Sequence, residues 1–215
     1  MIGWLAVVVS AYLLGSVNGS LLVGRLRGGV DIRDPGSGNA GGTNALRTQG
    51  GRFALAVIVI DIGKGWIATR LPVLAELASG GRGGDGAVLQ LWWPASCAFA
   101  AILGHVYPLW HGFRGGKGAA TVVGALAGLA PVLLLPLIGT WLACVMLSGF
   151  VGLATIVSVV VLPVAVGILG SQPFFPLLGF ALAVAAFVSF THRGNVSRMR
   201  AGTEPRARRL WLLRP

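Results

Sequence analysis

Long apolar runs, separated by short polar segments, dominate the chain. Those near 2–24, 53–78, 87–110, 151–169 and 174–190 each approach the roughly 20 residues that a helix needs to cross about 30 Å of hydrocarbon. A sixth run, 119–147, is too long for one simple span and contains Pro131 and Pro136, which disfavour an unbroken helix. It predicts either one long tilted helix or two short ones joined near residue 136. The pattern as a whole predicts an all-α integral membrane protein, with one membrane-embedded domain over 1–215.

Composition sharpens this reading. Of 215 residues, 55% are hydrophobic and 11% charged, with a mean hydropathy of +0.80. Soluble domains carry about 25% charge, so an ordinary soluble globule is excluded. A net charge of +11 alone would suggest a nucleic-acid binder, but no basic nucleic-acid module is this apolar. The positive charge therefore points to anionic lipid or phosphorylated substrates. Cys97 and Cys144 lie inside apolar runs, without the spacing of a disulfide framework or a metal site.

The basic residues also predict topology. Fourteen of the 17 Lys and Arg fall in 25–52, 111–118 and 191–215. Such residues collect in cytoplasmic loops, so all three segments are expected on one side. With the N-terminus outside, seven transmembrane helices bring the C-terminus to the cytoplasm and six do not. The first run has no basic residue before Arg25 and no clear cleavage site, so it reads as a span rather than a signal peptide.

Candidate chemistry lies in those three segments. The first contains GSGNAGGTNALR at 36–47. Its glycines permit tight turns that turn N–H groups toward an anion, Ser37, Asn39, Thr43 and Asn44 add neutral hydrogen-bonding groups, and Arg47 can grip a phosphate in bidentate fashion. A helix starting near Ala40 puts Thr43 and Arg47 on one face. A flexible surface loop is the bland alternative. The second segment, GFRGGKGAAT at 112–121, is a glycine-rich turn leading into a helix, with Lys117 as counter-charge for a phosphate. It is no Walker A loop, because His111 and Gly118 occupy positions that need Gly and Ser or Thr. In the third, HRGNVSRM at 192–199, His192 is a proton acceptor in reach of neutral pH, with Asn195 and Arg198 at i+3 and i+6. A merely interfacial histidine is the simpler reading of those residues alone. Asp61 and Lys64 inside the second run are costly in a bilayer and are expected to pair inside the bundle. His105 is expected at the inner end of the third span, as support or as a hydrogen bond to substrate.

Together these residues resemble the bacterial acyl-phosphate:glycerol-3-phosphate acyltransferases, the PlsY type. The resemblance runs from AYLLGS at 11–16 to Glu204, through GSGNAGGTNALR at 36–47, DIGKG at 61–65, GHVYPLWHGFRGGKGAAT at 104–121 and HRGNVSRMRAGTE at 192–204. Each string alone is weak; their order and spacing are specific. The resemblance implies a seven-span enzyme of the bacterial inner membrane, with its active site on the cytoplasmic side. It would move a fatty acyl group from acyl phosphate to the 1-hydroxyl of glycerol 3-phosphate, giving lysophosphatidic acid and inorganic phosphate in phospholipid biosynthesis. Its partners are these two substrates and membrane lipids, with no nucleic acid, no obligate protein partner, no cofactor and no metal. Ser37 and Arg47 match polar residues of the family's first motif, Gly115, Gly116, Lys117 and Gly118 its phosphate-binding second, and His192 and Asn195 the functional pair of its third. Glu204 matches a supporting acid.

Some positions depart from the family pattern: Thr191 stands for a common arginine, Gly194 for a polar or acidic residue, and Val151-Gly152 for a frequent serine pair. The expected allocation places glycerol 3-phosphate at 115–118. The acyl-phosphate head is expected among Ser37, Asn39, Thr43 and Arg47, with Gly38 and Asn44 as further substrate-binding residues; the swapped allocation stays open. His192 either takes the hydroxyl proton or only binds while a phosphate oxygen takes it. A transporter for a phosphorylated solute is the rival class, but its polar groups should lie at mid-membrane rather than at one surface.

Overall fold

A computed structural model describes residues 2–80 and 87–213. The described residues are helical, without strands. The chain divides into two compact units, Met1–Leu129 and Ala130–Pro215.

In the first unit, α1 (Ile2–Gly15) and α2 (Gly19–Leu26) replace the single helix expected over 2–24. They meet at an angle of 49°. Asn18 causes the break: extended itself, it caps α2 by accepting from the Ser20 and Leu21 amides at 3.1 and 3.3 Å. A loop then leads to α3 (Gly42–Gln49), α4 (Gly51–Ala78) and α5 (Ala87–Val106). A 3-10 turn at Leu109–His111 and a glycine-rich turn follow, and α6 (Ala119–Leu129) ends the unit. Helix α4 packs on α6, and α1 on α5. Both pairs approach backbone to backbone through glycine. A Cβ on Gly124 would strike the Ile62 carbonyl, and one on Gly104 the Tyr12 carbonyl. Small residues at such crossings are how helices associate in lipid, where hydrophobic burial gives little drive.

In the second unit a 3-10 turn at Pro131–Leu133 opens α7 (Leu134–Ser148), followed by α8 (Val151–Leu169), α9 (Phe174–Thr191) and α10 (Arg193–Arg200). The run 119–147 thus does break in two, but at 130–131 rather than near 136. Pro136 is the third residue of α7, where the missing N–H costs no helical bond. Val159, Leu162 and Val166 of α8 and Leu177, Phe180 and Val184 of α9 form the buried seam. Among the described residues, three helical segments are long and apolar enough to span a membrane: Pro131–Ser148, Val151–Leu169 and Phe174–Thr191, with the bent α1 and α2 pair as a fourth.

Candidate functional site

The first and second motifs come together within the first unit. The loop before α3 is stapled from inside by Asn44, which is almost fully buried. Its amide nitrogen donates to the Ile32 and Pro35 carbonyls at 2.8 and 3.1 Å, and its oxygen accepts from the Ser37 N–H at 3.0 Å. Asn44, expected to touch substrate, therefore shapes the loop. Gly36 (φ +71°) and Gly38 (φ +70°) turn in the left-handed region, where a side chain would be strained. Ser37, Gly38, Thr43 and Arg47 are exposed, while Asn39 is half-buried. Helix α3 begins two residues later than expected and still presents Thr43 and Arg47 four apart.

Arg33, read from the sequence only as one positive charge, is the main strap between the motifs. Its Nε and one terminal nitrogen hold the Asp31 carboxylate at 2.9 and 2.6 Å, and its other terminal nitrogen donates to the His111 and Arg114 carbonyls, both at 3.1 Å. Those hydrogen bonds hold the Asp31 carboxyl down to about 2, against a small opposing effect of burial. Burial, with Arg33 nearby, lowers His111 below the ordinary imidazole value. The Asp-x-Arg spacing was the available signal, but its target carbonyls lie some eighty residues on.

The glycine-rich turn is built differently from the expected cradle. The Gly115 and Gly116 amides donate to the Val106 and His105 carbonyls at 3.0 and 3.1 Å, so they cap the end of α5 rather than face an anion. A Cβ on Gly115 would strike the His105 carbonyl, and one on Gly116 the His105 Nε2, with the Ala40 carbonyl at 2.8 Å. These glycines let the turn lie flat on α5 and against the first motif. Gly118 (φ +93°) then starts α6, and Lys117 is half-buried beside it. Tyr107, Trp110 and Phe113 are exposed around this turn, in the manner of an aromatic belt at a membrane interface.

Asp61 and Lys64 do pair, at 2.8 Å and almost completely buried, with His105 as a third member. The Asp61 carboxylate also accepts from the Gly19 N–H at 3.0 Å, and Lys64 donates to the Val17 carbonyl at 2.9 Å.

The third motif belongs to the second unit. His192 lies buried at the junction of α9 and α10, its Nδ1 2.8 Å from the Val188 carbonyl. A carbonyl only accepts, so Nδ1 carries a proton and the neutral ring has its lone pair on Nε2. Asn195, also buried, donates to Glu204 Oε1 at 2.7 Å, while Arg198 Nε donates to Oε2 at 2.7 Å. Glu204 thus orients both. Gly152 makes room for this group: a Cβ there would come within 2.7 Å of the Asn195 side chain. The position that lacks a serine is therefore a packing contact with Asn195. Farther on, Arg206 stacks between Phe150 and Trp211 at 4.7 and 4.0 Å, and the Ala207 amide donates to the Gly149 carbonyl at 2.7 Å.

These features define an integral membrane helical protein whose glycine-shaped loops present hydroxyls and cations suited to phosphate esters. The family model for glycerol-3-phosphate acyltransferase matches residues 5–202. The chain is 38% identical to a glycerol-3-phosphate acyltransferase of Chlorobaculum tepidum, over 96% of this chain and 97% of that one. It is equally 38% identical to that of Synechococcus sp. strain JA-3-3Ab, over the full length of both. Among solved structures it resembles PlsY, an integral membrane glycerol 3-phosphate acyltransferase. The glycerol 3-phosphate form aligns at TM-score 0.80 with 32% identity over 94% of each chain. The lysophosphatidic acid form aligns at 0.79 with 31% identity, over 96% of this chain and 97% of that one. The chain belongs to the glycerol-3-phosphate acyltransferase family, PlsY type.

Proposed function

We propose that the protein transfers a fatty acyl group from acyl phosphate to the 1-hydroxyl of glycerol 3-phosphate, at the cytoplasmic face of the bacterial inner membrane. The observation that carries this reading is the joining of the first two motifs by Arg33, which brings the loop bearing Ser37, Thr43 and Arg47 and the turn bearing Lys117 together for two phosphate-bearing substrates. The hydroxyl oxygen attacks the acyl carbonyl carbon, the carbon–oxygen bond to phosphate breaks, and inorganic phosphate leaves with the bonding pair. A mixed anhydride already has a good leaving group, so no covalent enzyme intermediate is needed. Rate comes from holding two anions together and from stabilising developing charge.

In this reading Lys117 and the first turn of α6 hold glycerol 3-phosphate, with Gly115, Gly116 and Gly118 giving the turn its shape. Ser37, Gly38, Asn39, Thr43 and Arg47 hold the acyl-phosphate head, and Asn44 keeps their loop in register. His192 accepts the hydroxyl proton at Nε2, supported by its proton-bearing Nδ1, and Asn195 is its neighbour. Incubation of the purified protein with palmitoyl phosphate and glycerol 3-phosphate should yield lysophosphatidic acid and phosphate; no product sinks the proposal. If His192→Gln keeps near-normal kcat across pH, a phosphate oxygen is the base instead.

The proposed topology is a single seven-span domain with the N-terminus outside. Two observations support it. Arg33 can bond to 111 and 114 only if both loops share a side, and the tail at 207 bonds to the turn at 149, as it should if both are cytoplasmic. A reporter fused after residue 215 that is found outside overturns it.

A further inference from the structure

The buried group of Asp61, Lys64 and His105 has no part in the reaction just described. It lies within α4 and at the end of α5, yet touches the second phosphate motif directly and is joined to the first through the α1–α2 break. The Lys64 ammonium has three N–H donors and three neighbours: Asp61 Oδ1 at 2.8 Å, the Val17 carbonyl at 2.9 Å and His105 Nδ1 at 2.9 Å. If Nδ1 carried a proton, two donors would face each other across that last contact. The imidazole therefore accepts from Lys64 at Nδ1 and carries its proton on Nε2, the opposite tautomer to His192. Its 3.3 Å approach to Asp61 is then a by-product of sharing the ammonium.

The Nε2 edge lies against Gly116, where a Cβ would strike it, and the His105 carbonyl receives the Gly116 N–H at 3.1 Å. On the other side, the break at 16–18 that supplies the Val17 carbonyl also supplies Asn18, whose Nδ2 donates to the Ala40 carbonyl of the first motif at 3.2 Å. One ammonium is thus linked through His105 to the turn that bears Lys117, and through the α1–α2 break to the loop that bears Ser37.

We propose that Lys64 and His105 are positioning residues that set the placement of the glycine-rich turn, and with it Lys117, for glycerol 3-phosphate. The inference rests on the reading that Lys117 binds that substrate. An ion pair of no net charge suits this task. It fixes geometry without adding net charge, whereas Lys64→Met alone would leave a buried carboxylate that repels anionic ligands.

The test uses the purified full-length chain with palmitoyl phosphate and glycerol 3-phosphate. His105→Ala should raise KM for glycerol 3-phosphate about tenfold, while KM for the donor stays within about twofold and kcat changes less than KM. His105→Asn, whose amide oxygen can still accept from Lys64, should recover most of that loss. Asp61→Asn with Lys64→Met restores neutrality without the bridge and should remain impaired. Should that double variant match the parent, charge alone matters and the proposal fails. It fails equally if kcat falls with KM unchanged, or if both KM values rise together with a lowered unfolding temperature. Lys117→Gln separates the two readings: no change in KM for glycerol 3-phosphate overturns both, whereas a rise there with none in His105→Ala overturns this one only. Independently of folding losses in variants, nitrogen-15 NMR of the histidine-labelled parent should show His105 protonated at Nε2. A proton on Nδ1 refutes the donor count.

Discussion

Asn44→Ala tests whether the first motif is a built loop or a slack one. The side chain makes three hydrogen bonds, to the Ile32 and Pro35 carbonyls and from the Ser37 N–H, all from a residue 2% exposed. At about 1 kcal/mol net for each, their loss removes roughly 3 kcal/mol of local order. With 1.4 kcal/mol per factor of ten, the ratio of ordered to disordered loop falls by about two orders of magnitude. Arg33 and the Asn18 contact with Ala40 survive, so part of the loop keeps its place. We therefore expect a rise of roughly tenfold in KM for the acyl-phosphate donor, since apparent affinity scales with the competent fraction. Amide exchange over 32–41 should accelerate by a similar or larger factor, with little change in α4. Asn44→Asp sharpens the test. It keeps an acceptor for the Ser37 N–H but sets a carboxylate against two carbonyls, an arrangement that favours the neutral acid. Its activity relative to the parent should improve as pH is lowered. If Asn44→Ala leaves exchange and both KM values within twofold of the parent, the loop is not held as described.

Gly116→Ala should nearly abolish activity, because its Cβ meets a ring nitrogen and a backbone carbonyl that cannot both yield. If the surviving rate shows a raised KM for donor alone, the two phosphate assignments are reversed. Glu204→Ala should cost roughly 2 kcal/mol of stability and lower kcat at least tenfold, by releasing Asn195 and Arg198. Glu204→Gln keeps the acceptor for Asn195 and should recover most of the kcat, and equal losses in both variants would contradict an orienting role. Acid should loosen the strap at Arg33. The folded carboxyl of Asp31 lies at about 2 against an ordinary 3.8, so its contribution is complete above about pH 4 and is lost as pH falls toward 2. Proteolysis of the loop should rise across that window in the parent but not in Asp31→Asn. An identical acid profile in both would argue against the strap.

Much of the architecture was legible in hydropathy. The later apolar runs became α8 and α9 within a residue or so, and the glycines at 36–42 marked a true turn before a true helix. The two errors in span boundaries share a cause. In 2–24 and 119–147 the side chains are apolar on both sides of the break, so hydropathy cannot locate it, and only capping chemistry can. Asn18 followed by Gly19 was such a cue for the first, and Ala130 before Pro131 for the second, since the residue before proline avoids helical backbone. The strap at Arg33 and the seat of His105 under Gly116 were not legible. The strap joins segments some eighty residues apart, and the seat of His105 depends on how the turn after α5 folds back; a one-sequence reading has no register for either.

The site's use of backbone explains why it needs so many cations. A phosphate loop that offers free amides can neutralise an anion with dipoles alone. Here the amides of Gly115, Gly116 and Ser37 are already bound to carbonyl or amide oxygens that fix the loops. In the proposed reading, shape and charge then fall to different groups: glycine amides and Asn44 set the geometry, while Arg47 and Lys117 would supply the positive charge. Cations near the surface of fixed loops act through a field that salt screens over about 8 Å at physiological ionic strength. Capture of glycerol 3-phosphate should therefore weaken steeply with added salt. Raising salt from 20 to 300 mM should lower kcat/KM for this acceptor by about tenfold or more, mostly through KM. A salt-independent KM would mean that buried dipoles, not these side chains, hold the phosphate, and the division of labour would be wrong.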